Sequence, residues 1–144
     1  MGRRTVTAAE LAEVIRRHGL WLADAKEGER ADLRSAYLSG ADLRGAYLRS
    51  AYLSGADLRG AALNWKSHDT ISSILRREAG GDVARRALAG MILVSRDWCW
   101  STWLRPGALG PLEDQREWAL GVLRGYVREG DGAPEALRDG AGGA

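Results

Sequence analysis

Between Ala31 and Trp65 the chain divides without remainder into seven pentapeptides: ADLRS, AYLSG, ADLRG, AYLRS, AYLSG, ADLRG and AALNW. Ala opens every unit, and Leu33, Leu38, Leu43, Leu48, Leu53, Leu58 and Leu63 hold every third position. A period of five is incompatible with either regular element. At about 100° per residue, five helical steps advance each Leu by about 140° net and scatter the seven around the cylinder. In a straight strand an odd step sends successive Leu to opposite faces. A chain that turns a corner after every unit satisfies the pattern. Ala and Leu, two apart, then share an inward face, the residue between them points outward, and the closing pair, often Ser-Gly or Arg-Gly, makes the corner.

These A-(D/N)-L-x-x units resemble the pentapeptide-repeat family. The resemblance implies a right-handed quadrilateral β-helix with four units per coil, here about two coils long. The departures are Tyr37, Tyr47, Tyr52 and Ala62 where the family has Asp or Asn, and Trp65 closing the last unit. With four units per coil, residue n stacks on n+20: Leu33 over Leu53, Leu38 over Leu58 and Leu43 over Leu63, at roughly 4.8 Å. Leu48 has no Leu to stack on. So short a solenoid needs caps over its two ends, where backbone groups would otherwise be open.

The flanks predict α-helical caps. Thr7 and Glu10 form a capping box opening an amphipathic helix with Leu11, Val14 and Ile15 on one face and His18 in its last turn, ended by Gly19. Leu20, Trp21 and Leu22 are expected to lie over the first coil. After Trp65 one helix, capped by Ser67 or Asp69, runs to Gly80-Gly81, and a second starts at Asp82. A Trp-rich turn (Trp98, Trp100, Trp103) and a helix opened by Pro111 follow. The expected division is a capping helix and lead-in over 1–30, the repeat coil over 31–65, a helical domain over 66–129 and a flexible tail over 130–144, apart from a turn of helix around Glu135, Ala136 and Leu137.

Composition bears on function. Among 144 residues there are 21 basic and 19 acidic side chains, one Cys, two His and no Phe. One cysteine excludes an internal disulfide and a multi-Cys zinc site. No nucleotide-binding glycine motif or nucleophile elbow occurs, so neither cofactor nor metal is expected. No run approaches the roughly 20 apolar residues of a membrane span and Met1-Gly2-Arg3-Arg4 is no signal peptide, so a cytoplasmic protein without membrane contact is expected. Arg outnumbers Lys 19 to 2, the habit of a GC-rich bacterial or bacteriophage genome.

A Cys99-dependent enzyme, with His68 and Asp97, is the weaker alternative, because flanking Trp would bury the thiol as a structural residue. The Trp98, Trp100 and Trp103 cluster suits either core or partner contact. The family's best-known activity, imitation of DNA toward gyrase, needs an acidic, longer rod, whereas the repeat carries four Arg and three Asp. A topoisomerase-modulating or nucleic-acid-associated role is therefore disfavoured, since a net +1 over 35 residues releases few counterions. The expectation is a non-enzymatic protein-interaction or scaffold module, phage-encoded and acting on an unidentified host protein. It is expected as a monomer or as a homodimer through an open coil end. Its candidate surface is Tyr37, Tyr47, Tyr52, Arg34, Arg44, Arg49 and Arg59.

Overall fold

The computed structural model describes residues 4–95 and 99–141, except for the side chains of 139–141. Its element order is β1 (Arg4–Thr5), α1 (Ala8–Leu22), β2 (Ala36–Tyr37), α2 (His68–Ala79), α3 (Val83–Val94), α4 (Trp100–Trp103), a 3-10 turn (Gly110–Gln115), α5 (Arg116–Arg124) and α6 (Glu135–Ala141). No helix among the described residues is long and apolar enough to cross a membrane.

Between α1 and α2 the chain turns every five residues. Ala36 N–H donates to Leu33 O, and the same bond recurs from Ala41 to Leu38, Ala46 to Leu43, Ala51 to Leu48, Ala56 to Leu53 and Ala61 to Leu58. The fifth residue of the unit takes the left-handed conformation at Gly40 (φ 73°) and Gly60 (φ 74°), which a Cβ would penalise. Ser35 and Ser50 adopt it with a side chain present, at φ 59° and 64°.

Parallel pairing joins residues 20 apart: Asp32 with Tyr52, Tyr37 with Asp57, and Asp42 with Ala62. The donors Leu33, Ser35, Leu38, Gly40 and Leu43 each reach a carbonyl 19 residues on, at 2.8–3.0 Å. All seven repeat Leu are buried, none more than 6% exposed, and they form one core with Trp65 and the helical side chains. Regular strand is sparse because each side supplies only two or three extended residues before the next corner.

The start of the coil is closed by residues 4–30. Strand β1 pairs in parallel with β2, Arg4 opposite Ala36, and the Arg4 guanidinium donates to the carbonyls of Asp32 and Arg34. Helix α1, capped by Thr7 Oγ1 accepting from Glu10 N–H, lays Leu11, Val14, Ile15 and His18 toward the coil. It passes through Gly19 and continues to Leu22, because Ala23 and Ala25 N–H find acceptors in Gly19 and Leu20. In consequence Trp21 and Leu22 are 36% and 40% exposed and do not cover the first coil as expected.

At the far end side chains continue the backbone ladder. Leu48 N–H donates to Ser67 Oγ and Ser50 N–H to Asp69 Oδ2, again 19 residues on, while Asn64 Nδ2 donates to Ala46 O. The chain has turned into α2 here, so hydroxyl, carboxylate and amide replace peptide groups. Helices α2 and α3 pack through Ile71, Ile74, Leu75, Leu88 and Ile92, with Ser72 Oγ donating to Ala89 O. Asp82 caps α3, accepting from Arg85 N–H.

From Gly130 the expected flexibility gives way to packing. Leu137 is fully buried, and the Asp131 carboxylate accepts from Trp65 Nε1, Arg128 N–H, Ala133 N–H and Arg138. A buried acid with four donors around it, unrecognisable in a Gly-rich tail, holds the segment down.

Candidate interaction surface

Each A-D-L-R unit carries its own ion pair. The Asp carboxylate receives two guanidinium bonds from the Arg two residues on: Arg34 to Asp32 at 2.8 and 2.7 Å, Arg44 to Asp42 at 2.8 Å twice, and Arg59 to Asp57 at 2.9 and 2.6 Å. The same Asp also accepts the Arg backbone N–H at 3.2 Å. These guanidinium bonds hold the Asp32 and Asp42 carboxyls down at about 2 and push Asp57 lower still. Arg49 lies in an A-Y-L-R unit without an Asp, and its guanidinium has no ion pair among the described residues. Three of the four candidate Arg are thus internally neutralised, for a reason contained in the unit itself.

The three Tyr are exposed, at 49% for Tyr37, 57% for Tyr47 and 42% for Tyr52, and each has different neighbours. Tyr37 borders a groove against Leu11 and Ile15 of α1. Tyr47 borders a smaller cleft of about 170 Å³ with Arg49, Lys66 and His68. Tyr52 stands among cations. Arg30 sits 3.9 Å and Arg34 5.1 Å from its ring centroid, and Arg30 donates to its hydroxyl at 2.8 Å. Arg30 also reaches the Trp21 ring at 5.4 Å. The corners of the coil separate Tyr residues that the linear repeat places in equivalent positions.

A His in the last turn of a helix ordinarily complements the C-terminus as a charged ring, and His18 does not. It is fully buried, accepts at Nδ1 from Ala31 N–H at 3.0 Å, and donates through Nε2 to Arg49 O at 2.9 Å. That pairing requires the neutral Nε2–H tautomer, and burial lowers the ring's pKa. No sequence motif marks the role, since both partners are backbone groups of the coil.

Cys99 corrects the expectation. It is exposed, not buried, and hydrogen bonds to its sulfur from Ser101 and Thr102 lower the thiol to about 6. His68 donates through Nδ1 to Ile92 O, and no hydrogen bond joins it to Cys99 among the described residues. The space between Cys99, His68, Ile92, Trp100 and Trp103 is about 10 Å³, too small for a substrate. Asp97 and Trp98 lie outside the described residues. Trp103 is buried, and Trp100 is partly buried with its indole N–H on Trp65 O, so these two join the coil to the helices. Among the described residues no three His, Cys, Asp or Glu side chains gather to hold a metal.

Residues 29–64 match the family model described as pentapeptide repeats, in eight copies, which extends the seven-unit frame at its N-terminal side. The chain has no significant match among curated proteins or solved structures.

Proposed function

Starting from a chain whose residues 29–64 belong to the pentapeptide-repeat family, we propose a right-handed, four-sided coil that serves as a non-enzymatic protein-interaction module. The 20-residue pairing offset supports four units per turn. The reading extends to a phage-encoded cytoplasmic protein acting on a host protein, in keeping with its Arg-rich, Lys-poor composition. It acts as a monomer, because α1 and α2 already bond the coil ends that an edge-to-edge dimer would need. Light scattering should give a single species of 15.6 kDa.

The observation that carries the reading is the exposed Tyr52, held between Arg30 and Arg34 beside Trp21. Aromatic and Arg side chains dominate binding hot spots, and a ring held before binding loses little entropy on association. Nucleic-acid binding finds less support, since the forks leave Arg49 as the one repeat Arg without an ion pair among the described residues. The test is capture of partners from bacterial lysate by wild type, Tyr52→Ser and the Tyr37/Tyr47/Tyr52→Ser triple variant. Proteins held by wild type and lost with Tyr52→Ser, at unchanged melting temperature, are expected. An unchanged set would sink the reading.

A further inference from the structure

A groove of about 550 Å³ lies between the last coil and the α2–α3 hairpin, and Tyr52 is not among the residues that line it. Its coil wall carries Ala51, Leu53 and Ala56 beside Ser54 and Gly55, and Leu93 of α3 stands among the lining residues. Its rim is basic. Arg76 and Arg77 share a face of α2 with Ser72, Ser73 and Gly80, at steps of four, and Arg86 joins them from α3.

Most other arginines that rim the repeat coil or the first helix are spent on an acid, as the forks and the Glu13 bonds to Arg16 and Arg17 show. Arg76, Arg77 and Arg86 have no ion pair among the described residues. Arg77 and Arg86 each donate one bond to a carbonyl, Ala56 O at 3.3 Å and Gly80 O at 3.1 Å. Those bonds orient the guanidinium groups and leave most of their five donors unused. Asp69, the one acid lining the groove among the described residues, already accepts from Ser50 N–H.

We propose that this groove docks an acidic peptide segment of a partner protein, with carboxylates on Arg76, Arg77 and Arg86 and an apolar side chain seated against Leu53 and Leu93. The proposal rests on the reading of the chain as an interaction module and names the kind of partner. Charge complementarity selects an acid, because three orientable forks match carboxylates two bonds at a time. The Leu53 and Leu93 side chains favour a peptide over a nucleic acid, whose affinity would come from more phosphate contacts than three cations offer.

The test is fluorescence anisotropy on the full chain with a labelled EELEEL peptide, its neutral QQLQQL counterpart and a single-stranded oligonucleotide as competitor. The acidic peptide should bind at least about tenfold more tightly than the neutral one, and less tightly at higher salt. Arg76→Gln/Arg77→Gln/Arg86→Gln should abolish the preference, while Arg44→Gln, in a fork remote from the groove, should keep it. Because the triple variant removes the Arg77 bond to Ala56 O, the single Arg86→Gln variant and circular dichroism accompany it; a folded Arg86→Gln protein should bind several-fold more weakly. Equal binding of both peptides, binding unchanged in the Gln variants, or displacement by less oligonucleotide than acidic peptide would overturn the proposal. Tyr52→Ser should leave peptide binding intact, so the failure of either reading is seen separately.

Discussion

Burial, and not the ion pair itself, separates the three Asp-Arg forks. Asp57 has its side chain 1% exposed, against 46% for Asp32 and 63% for Asp42, although all three make the same bonds. Asp57→Ala empties a buried site and removes its bonds to Arg59, and should cost about 1–3 kcal/mol, whereas Asp42→Ala should cost under about 1 kcal/mol. Denaturant midpoints of the two variants check the order. His18 makes a second residue-scale prediction. The unfolded ring takes up a proton below its ordinary value of about 6.5, but the folded ring cannot without losing the Ala31 bond, so stability falls as pH falls through that value. Nearby Arg30 strengthens this effect and Asp69 opposes it. Urea midpoints should drop between about pH 7.5 and pH 5.5 in wild type, and the drop should shrink in His18→Gln. At this scale the sequence was legible where partners lie within one unit, as in the Asp-x-Arg fork. It was not legible where they lie 13 and 31 residues away, as for His18.

Elements inherit that contrast. The capping box at Thr7 and the cap at Asp82 form as their spacing predicts, because both bonds close within three residues. The end of α1 does not, since a Gly is only a permissive stop and the chain beyond it found acceptors in the helix. Gly28 then lets the chain fold back against α1: a Cβ there would collide with the Trp21 backbone. Helix α2 has a duty that its 3.6-residue pattern does not disclose. Ser67 sits at the N-cap without a side-chain cap bond and Asp69 lies in the first turn, so neither caps the helix as expected; both side chains instead accept the ladder donors of Leu48 and Ser50. Asp69→Ala should speed hydrogen exchange at the Ser50 amide and destabilise by about 1–3 kcal/mol, with Asp69→Asn closer to wild type because its amide oxygen still accepts.

At the scale of the molecule, Trp65 ties three segments together. It closes the repeats, accepts through its carbonyl from Trp100, and donates through its indole to Asp131. Truncation after Glu129 removes Asp131 and the fully buried Leu137 together. The cost should be about 2 kcal/mol or more, with Trp emission shifted to the red, as read by fluorescence-monitored unfolding. The basic groove is also a whole-molecule feature. Residues 66–111 hold seven basic against four acidic side chains, yet only the packing of the hairpin on the coil draws three of those Arg to one wall.

The sequence by itself determined the five-residue corner and the inward Leu, because these follow from interactions repeated identically in every unit, whereas the 20-residue offset was implied only by the family resemblance. Tertiary structure alone decided how the coil ends are closed, which Arg stay uncompensated and where each Tyr faces. Those outcomes depend on single contacts between segments far apart in the chain, which have no period to reveal them.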